Sequence, residues 1–353
     1  MKNLYGSQGT GNGHCTRAAE ILTHLQNHGK VDVLVSGRSH EINISSLKYQ
    51  KKGLGFRFGN NGGINYLQSL LQFNPLRFLH EAASLPVEQY DLVLHDFDPV
   101  TAWACKIKKV PCIGISHQAS FLSIKTPRPS GKNYLFEYLL RNYAPANKYI
   151  GFHFAAYDLF IHTPIIRKAI REAENKIGDH FTVYLPSYHD ELLIHQLIQL
   201  NDVKWEIFSK NATSIKQVEN VLLLPVTAER FTNSITASAG VVCGAGFETP
   251  AEALFLGKKL LVIPMKGQYE QACNCVALQL MGVKSLDCVD NDFLQHLARW
   301  IQTSDAVKVH YQDSTANLIN GIFGISKSMQ INSRVDPLSS IQELIADIQV
   351  EVQ

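Results

Sequence analysis

The chain is short of charge. Asp, Glu, Lys and Arg make up 18% of its 353 residues, below the ~25% usual for soluble domains. What charge there is nearly cancels, 33 Lys and Arg against 31 Asp and Glu for a formal +2, so no field of the kind that drives nucleic-acid binding is present. The cysteines number 7, at positions 15, 105, 112, 243, 273, 275 and 288, and contain no Cys-x-x-Cys pair. That fits neither a disulfide framework nor a structural zinc site. The histidines offer no metal-ligand spacing beside an acidic partner, so no metal is expected. Long apolar runs are also lacking: stretches such as Lys259 to Pro264 are strand-sized, against the ~20 residues that span a bilayer. The N-terminus runs into glycines without the apolar run of about 7 to 15 residues that a secretory signal needs. The expectation is a cytoplasmic protein in a reducing compartment, with any membrane contact peripheral and at the inner face.

What is present is apolar substance: 45% hydrophobic residues, ample for roughly two cores at ~150 residues per domain. Short apolar runs alternate with segments of helical period, the pattern of a parallel sheet wrapped by crossover helices. The first series has a strand near Asn3 to Tyr5, a glycine loop, a helix from His14 to His28 and a strand at Val31 to Val35. A strand at Asp91 to His95, a helix at Pro99 to Lys108 and a strand at Pro111 to Ser116 follow. Residues 37 to 90 read weakly. The second series has strands at Phe181 to Pro186, Lys204 to Ser209, Val221 to Leu224, Gly240 to Cys243 and Leu260 to Ile263, with helices at Asp190 to Leu200 and Pro250 to Leu256. The seam falls near residues 165 to 178. The expected architecture is α/β: an N-terminal Rossmann-like domain over 1–165, a second over 166–310 facing it across a cleft, and a helical tail over 311–353. The box Ser340-Ile-Gln-Glu343 starts a helix there, whose Ile341, Leu344, Ile345 and Ile348 need a surface to cover. In tandem open α/β domains ligands collect outside the carboxyl ends of the strands.

The strongest motif is Gly240 to Pro264. A strand ends in Gly244-Ala-Gly246, where missing side chains admit a ligand to the backbone. A helix follows, whose free amides and dipole suit a phosphate. Thr249-Pro-Ala-Glu252 also reads as a capping box, in which Glu252 merely caps its own helix. After the next strand, Gln268, Glu270, Gln271 and Asn274 cluster. A carboxylate beside an amide can grip vicinal sugar hydroxyls.

From Ala239 to Gly282 the chain resembles the donor-binding segment of GT-B nucleotide-sugar glycosyltransferases, the superfamily of UDP-glycosyltransferases and of the bacterial N-acetylglucosaminyltransferase that makes lipid II. The resemblance implies an inverting enzyme that needs no cofactor. Gly244 and Gly246 through Thr249, with Phe247 and Glu248, match the diphosphate turn. Glu252 matches the ribose-binding glutamate, and Glu270 and Gln271, next to Gln268, the pair that holds the donor sugar. Many members carry a His-x-Gly histidine where this chain has Cys243 or Gly244. Retaining relatives resemble Glu-x7-Glu, whereas Glu248 and Glu252 are four apart, which favours inversion.

Gly6-Ser-Gln-Gly-Thr-Gly-Asn-Gly-His14 misses the G-x-G-x-x-G spacing of a dinucleotide fingerprint. It is similar to the acceptor-side loop of the same enzymes, through Gly9, Gly11 and Gly13, with His14 as a candidate general base or simply a residue packed at a helix start. Asp96 is the second candidate base, while Asp98 reads as a cap for the Pro99 helix. Asp96-Phe-Asp-Pro99 and His117-Gln118 resemble a pair found in a subset of members, which places His117 on the acceptor side. Lys125 to Lys148, with five basic residues, one acidic residue and several aromatics, reads as a solvated helix face or as a rest on anionic lipid. The partners implied are a nucleotide-sugar donor, with UDP as the expected nucleotide, and a hydroxyl acceptor, lipid or cell-envelope glycan. The alternatives are a nucleotide-sugar 2-epimerase, whose N-terminal arginine signature is missing, and a non-catalytic nucleotide-sugar-binding subunit.

Overall fold

The computed structural model describes residues 1–9, 12–37, 46–54, 74–131 and 133–332. In chain order its first half comprises β1 (Lys2–Gln8), α1 (Asn12–Leu25), β2 (Lys30–Ser36), β3 (Leu47–Lys51), α2 (Pro75–Ala83), β4 (Leu92–Asp96), α3 (Pro99–Lys108), β5 (Ile113–Ser116), α4 (Tyr134–Tyr143), β6 (Lys148–Phe152), β7 (Ile161–His162) and α5 (Lys168–Arg171). The second comprises β8 (His180–Tyr184), α6 (Asp190–Leu197), β9 (Lys204–Ser209), β10 (Lys216–Val218), β11 (Val221–Pro225), α7 (Ala228–Ala237), β12 (Gly240–Gly244), α8 (Glu248–Phe255), β13 (Lys259–Ile263), α9 (Tyr269–Leu280), β14 (Lys284–Ser285), α10 (Phe293–Thr303) and α11 (Thr315–Asn332).

These strands form two 7-stranded sheets, ordered β3-β2-β1-β4-β5-β6-β7 and β10-β11-β9-β8-β12-β13-β14. Every pairing is parallel except β10 with β11. In each sheet the order reverses beside a central strand, β1 in the first and β8 in the second. Parallel strands covered on both faces must be apolar throughout, and β2, β4 and β12 are buried along nearly their whole length.

The glycine at the middle of β1 is there for packing. A Cβ on Gly6 would stand 2.2 Å from Thr101 Oγ1, so only glycine lets α3 lie this close. Gly6 is thus inside a strand that runs to Gln8, and the glycine loop of the sequence reading begins later than expected. Asp98 does cap α3, accepting from Thr101 N at 2.8 Å. One other helix reading changes. The Lys125 to Lys148 stretch is not one helix: Arg128 is buried against Glu137, and Lys148 opens β6. The seam near residues 165 to 178 carries the four residues of α5.

Helix α11 returns from the second sheet to the first domain. Its Ile319, Ile322 and Phe323 are buried in the cluster that holds Ala18, Ile21 and Leu25 of α1, and Phe323 stacks on His28 at 4.3 Å. The Ser340 capping box and Ile341 to Ile348 lie outside the described residues. No helix among the described residues is long and apolar enough to cross a membrane.

Candidate active site

Five chain segments converge where the carboxyl ends of the two sheets meet. From the first domain come the start of α1, the end of β4 and the turn after β5; from the second come the β12–α8 turn and the start of α9.

His14 and Arg17 sit three apart on α1, hence on one face of it. Both reach Asp96 at the end of β4. Arg17 grips that carboxylate as a fork, Nε at 3.0 Å from Oδ2 and Nη2 at 2.8 Å from Oδ1. His14 Nδ1 lies 2.9 Å from Oδ1. A carboxylate can only accept, so Nδ1 carries the proton and Nε2 is the basic nitrogen of the neutral ring. The 3.2 Å approach of Arg17 Nη2 to His14 Nδ1 is then two donors sharing one oxygen. Burial works against the Asp96 charge, but Arg17 and then His14 overcome it and hold the carboxyl down at about 2. Asp96, the second candidate base of the sequence reading, is therefore held as an anion against His14 and Arg17. Arg17 was not singled out by sequence reasoning; its spacing from His14 was the available signal, and its partner is 79 positions away.

The third Arg17 nitrogen, Nη1, crosses to the second domain and donates to Glu248 Oε1 at 2.5 Å. Glu248 opens α8. Burial pushes its carboxyl up to about 7, with Arg17 opposing and Glu252 and Asp96 adding. The residue preceding the helix is Phe247, which supplies no side-chain cap. The capping box read at Thr249 is consequently absent: the helix starts before it, and Glu252 is 4% exposed and clasped by Arg167 through Nε and, at 2.7 Å, Nη2. Thr249 is on the uncapped first turn. Its amides remain without a side-chain partner there, the condition under which a helix start accepts an anion. Among the described residues nothing lies within 4 Å of where a Cβ on Gly246 would be, and a Cβ on Gly244 would stand 3.6 Å from Gln271 Oε1.

Helix α9 is fastened to that turn. Asn274 Nδ2 donates to Ala245 O at 3.1 Å and its Oδ1 faces His117 Nε2 at 2.9 Å. Gln271 Oε1 accepts from Met265 N at 2.8 Å, leaving its two amide hydrogens. Glu270 accepts from Gln118 Nε2 at 3.1 Å, and Gln268 Oε1 is buried with no hydrogen-bond partner among the described residues. His117 is 1% exposed, donates from Nδ1 to Phe152 O at 2.8 Å and stacks on Phe247 at 4.0 Å and 6°. Burial lowers its pKa, with the nearby Glu270 carboxylate opposing. It therefore lies in the seam between the domains. Gly9 N donates to Ser36 O at 2.6 Å and Gly13 lies in the first turn of α1; Gly11 is outside the described residues. The structure thus gathers His14, Asp96, Glu248, Gly244, Gln271 and Glu270 at one seam, and places Glu252 in an ion pair behind it.

A search of curated sequences finds no significant match. Solved structures with the same fold include MurG of Acinetobacter baumannii, 15% identical over 92% of this chain and 99% of that one, TM-score 0.58. The glycosyltransferase SnogD of Streptomyces nogalater is 11% identical over 92% and 99%, TM-score 0.56. Phytolacca americana UGT2, solved with UDP-2-fluoro-glucose and pterostilbene, is 12% identical over 98% and 99%, TM-score 0.55. At these identities they show the two-domain GT-B fold. The model of glycosyl transferase family 1 matches residues 1–301, and with that extent of match the chain belongs to this family and is a glycosyltransferase acting on a nucleotide-sugar.

Proposed function

We propose that the enzyme transfers a sugar with inversion from a UDP-sugar to a hydroxyl acceptor, and that it needs no metal ion to do so. The observation that carries this reading is the wiring of one base to the donor turn: His14, oriented by Asp96, is joined through Arg17 to Glu248 at the start of α8. His14 Nε2 takes the acceptor proton as the hydroxyl attacks the anomeric carbon from the face opposite the diphosphate. The uncapped amides and dipole of α8 stabilise the departing diphosphate. Glu270, Gln271 and Gln268 hold the sugar hydroxyls. On the acceptor side lies a small cavity, with room for about one water, lined by residues that include Phe97, Gln118, Leu140 and Tyr149. Gln118 belongs both to that cavity and to the contact with Glu270, so the acceptor and donor sites adjoin.

Donor choice is tested by thermal denaturation with a panel of nucleotides and nucleotide-sugars, because a ligand that binds the native state raises Tm with affinity. UDP and UDP-sugars should give the largest shifts. Glu270→Ala should lower kcat/KM for UDP release about 10- to 100-fold, since a hydrogen bond to a charged group contributes about 1.5–3 kcal/mol. An unchanged rate would remove Glu270 from the donor site.

We propose further that the acceptor is presented at an anionic membrane surface. Helix α4 exposes Tyr134, Leu135 and Tyr138 together with Arg141, and Ile124 and Lys125 in the segment before it are exposed as well, Lys125 paired with Asp158. Aromatic and apolar side chains rimmed by cations suit a lipid interface. Sedimentation with vesicles containing anionic phospholipid should recover the protein, and the double substitution Leu135→Glu/Tyr138→Glu should leave it in the supernatant; equal recovery of both would reject the surface.

A further inference from the structure

The two ends of the Arg17 side chain are unlike. One is a two-pronged fork onto Asp96, which is fully buried and in the same domain. The other is a single nitrogen meeting Glu248, a carboxylate 19% exposed and in the other domain. The guanidinium itself is 2% exposed and rests over the Phe152 ring at 5.9 Å, so its stem has little freedom to leave. Glu248 is the first residue of α8 and stands two residues after Gly246, where among the described residues nothing lies within 4 Å of a Cβ position. A diphosphate seated on the amides of that helix start would arrive next to Glu248, a like charge, and next to the Arg17 nitrogen that Glu248 occupies.

We propose that the Arg17–Glu248 pair is a donor-operated latch: the diphosphate takes Arg17 Nη1 from Glu248, Glu248 takes up a proton from solvent in exchange, and Arg17 stays forked on Asp96. The inference rests on the reading that the donor phosphates occupy the Gly244 to Thr249 turn. It makes Arg17 a phosphate ligand toward the donor and a positioning residue toward His14, so that one side chain ties the base to the leaving group. The charged and titratable groups that face Glu248 are Arg17 and His14 from α1, Asp96 from β4, and Glu252 one turn further along α8, itself clasped by Arg167. Of these Arg17, His14 and, from behind Glu252, Arg167 favour the carboxylate. Loss of the Arg17 contact and arrival of phosphate both disfavour it, so proton uptake has the required sign.

The test is calorimetric titration of the full chain with UDP between pH 7.5 and 8.5, above the second ionisation of a phosphate at about 6, in two buffers of different ionisation enthalpy. The native protein should take up most of one proton per UDP, and its affinity should fall toward tenfold per pH unit. Glu248→Gln, which frees Arg17 Nη1 and cannot take the proton, should show no uptake, no slope, and several-fold tighter binding at pH 8.5. Uridine, which lacks phosphate, should bind both proteins alike. UDP binding without proton uptake, and with equal affinity in Glu248→Gln, would overturn the latch and leave the donor reading standing. If neither UDP nor GDP, dTDP or ADP binds the native protein, the donor reading falls and the latch falls with it. Proton uptake is read on the unaltered chain, so the latch remains decidable even where Glu248→Gln does not fold.

Discussion

Replacing His14 with Ala should slow sugar transfer by about 10²- to 10⁴-fold, the range that a positioned general base supplies, while the Kd for UDP changes less than about twofold. The split follows from where the side chain stands. His14 touches Asp96 and approaches Arg17, and among the described residues it makes no hydrogen bond to the Gly244 to Thr249 turn or to Glu270. Its removal leaves the Arg17 fork on Asp96 intact, so the donor turn keeps its partner and the fold keeps its buried pair. The measurement is steady-state UDP release with an acceptor, beside calorimetric binding of UDP. Added imidazole should restore part of the rate, because the missing group is a proton acceptor and not a packing element. A non-catalytic binding subunit predicts the opposite: biological activity would survive His14→Ala. A rate within threefold of the native one would show that proton transfer does not run through this ring.

The parts of the site legible in the sequence are those in which chemistry is local. Gly244-Ala-Gly246 after an apolar run and Pro250 inside the next helix mark a strand, a turn and a helix start within ten residues, and β12 and α8 lie there. Asp98 before Pro99 announces a cap, and α3 begins at Pro99. What escapes is set by partners distant in the chain. Arg17 reads as one more basic residue on an amphipathic helix until β4 brings Asp96 to it from 79 positions away and the second domain brings Glu248 from 231. The first residue of α8 was misplaced by two because Phe247 carries no polar cap; that end is set by tertiary packing, Phe247 lying on His117. Nothing near Glu252 in the sequence announced its ion pair with Arg167, which comes from the connection between the sheets 85 positions away. Strand β3 escaped because it is an edge strand, mostly exposed, without the apolar alternation that marks a half-buried one. Helix α11 contains Gly321 and Gly324, which cost helix propensity, and it is held by packing on α1.

Replacing Arg17 with Met should cost the native state about 3–5 kcal/mol at pH 7, because removing one partner of a buried pair leaves the other charge uncompensated. The stranded group is Asp96, 0% exposed, with His14 the one donor left to it among the described residues. Methionine is apolar and unbranched, so the cost comes from charge and not from a cavity. The pH dependence separates this account from a packing defect. In the native chain the Asp96 carboxyl is at about 2, below its ordinary value of 3.8. A depressed carboxyl contributes stability that is fully present above pH ~4 and is lost as pH falls through about 2, a loss of about 2 kcal/mol for a shift of this size. Without Arg17 that carboxyl loses its main stabiliser while burial still raises it, so in the variant Asp96 protonates at higher pH and the native state is relieved as it does. The gap between native and Arg17→Met stability should therefore be widest at pH 7 and narrow by at least 1–2 kcal/mol toward pH 4. Urea denaturation at the two pH values, followed by tryptophan fluorescence, measures it. A gap that stays constant with pH would mean that Arg17 stabilises the seam through packing alone, and one that widens on acidification would mean that Asp96 is not the charge it holds.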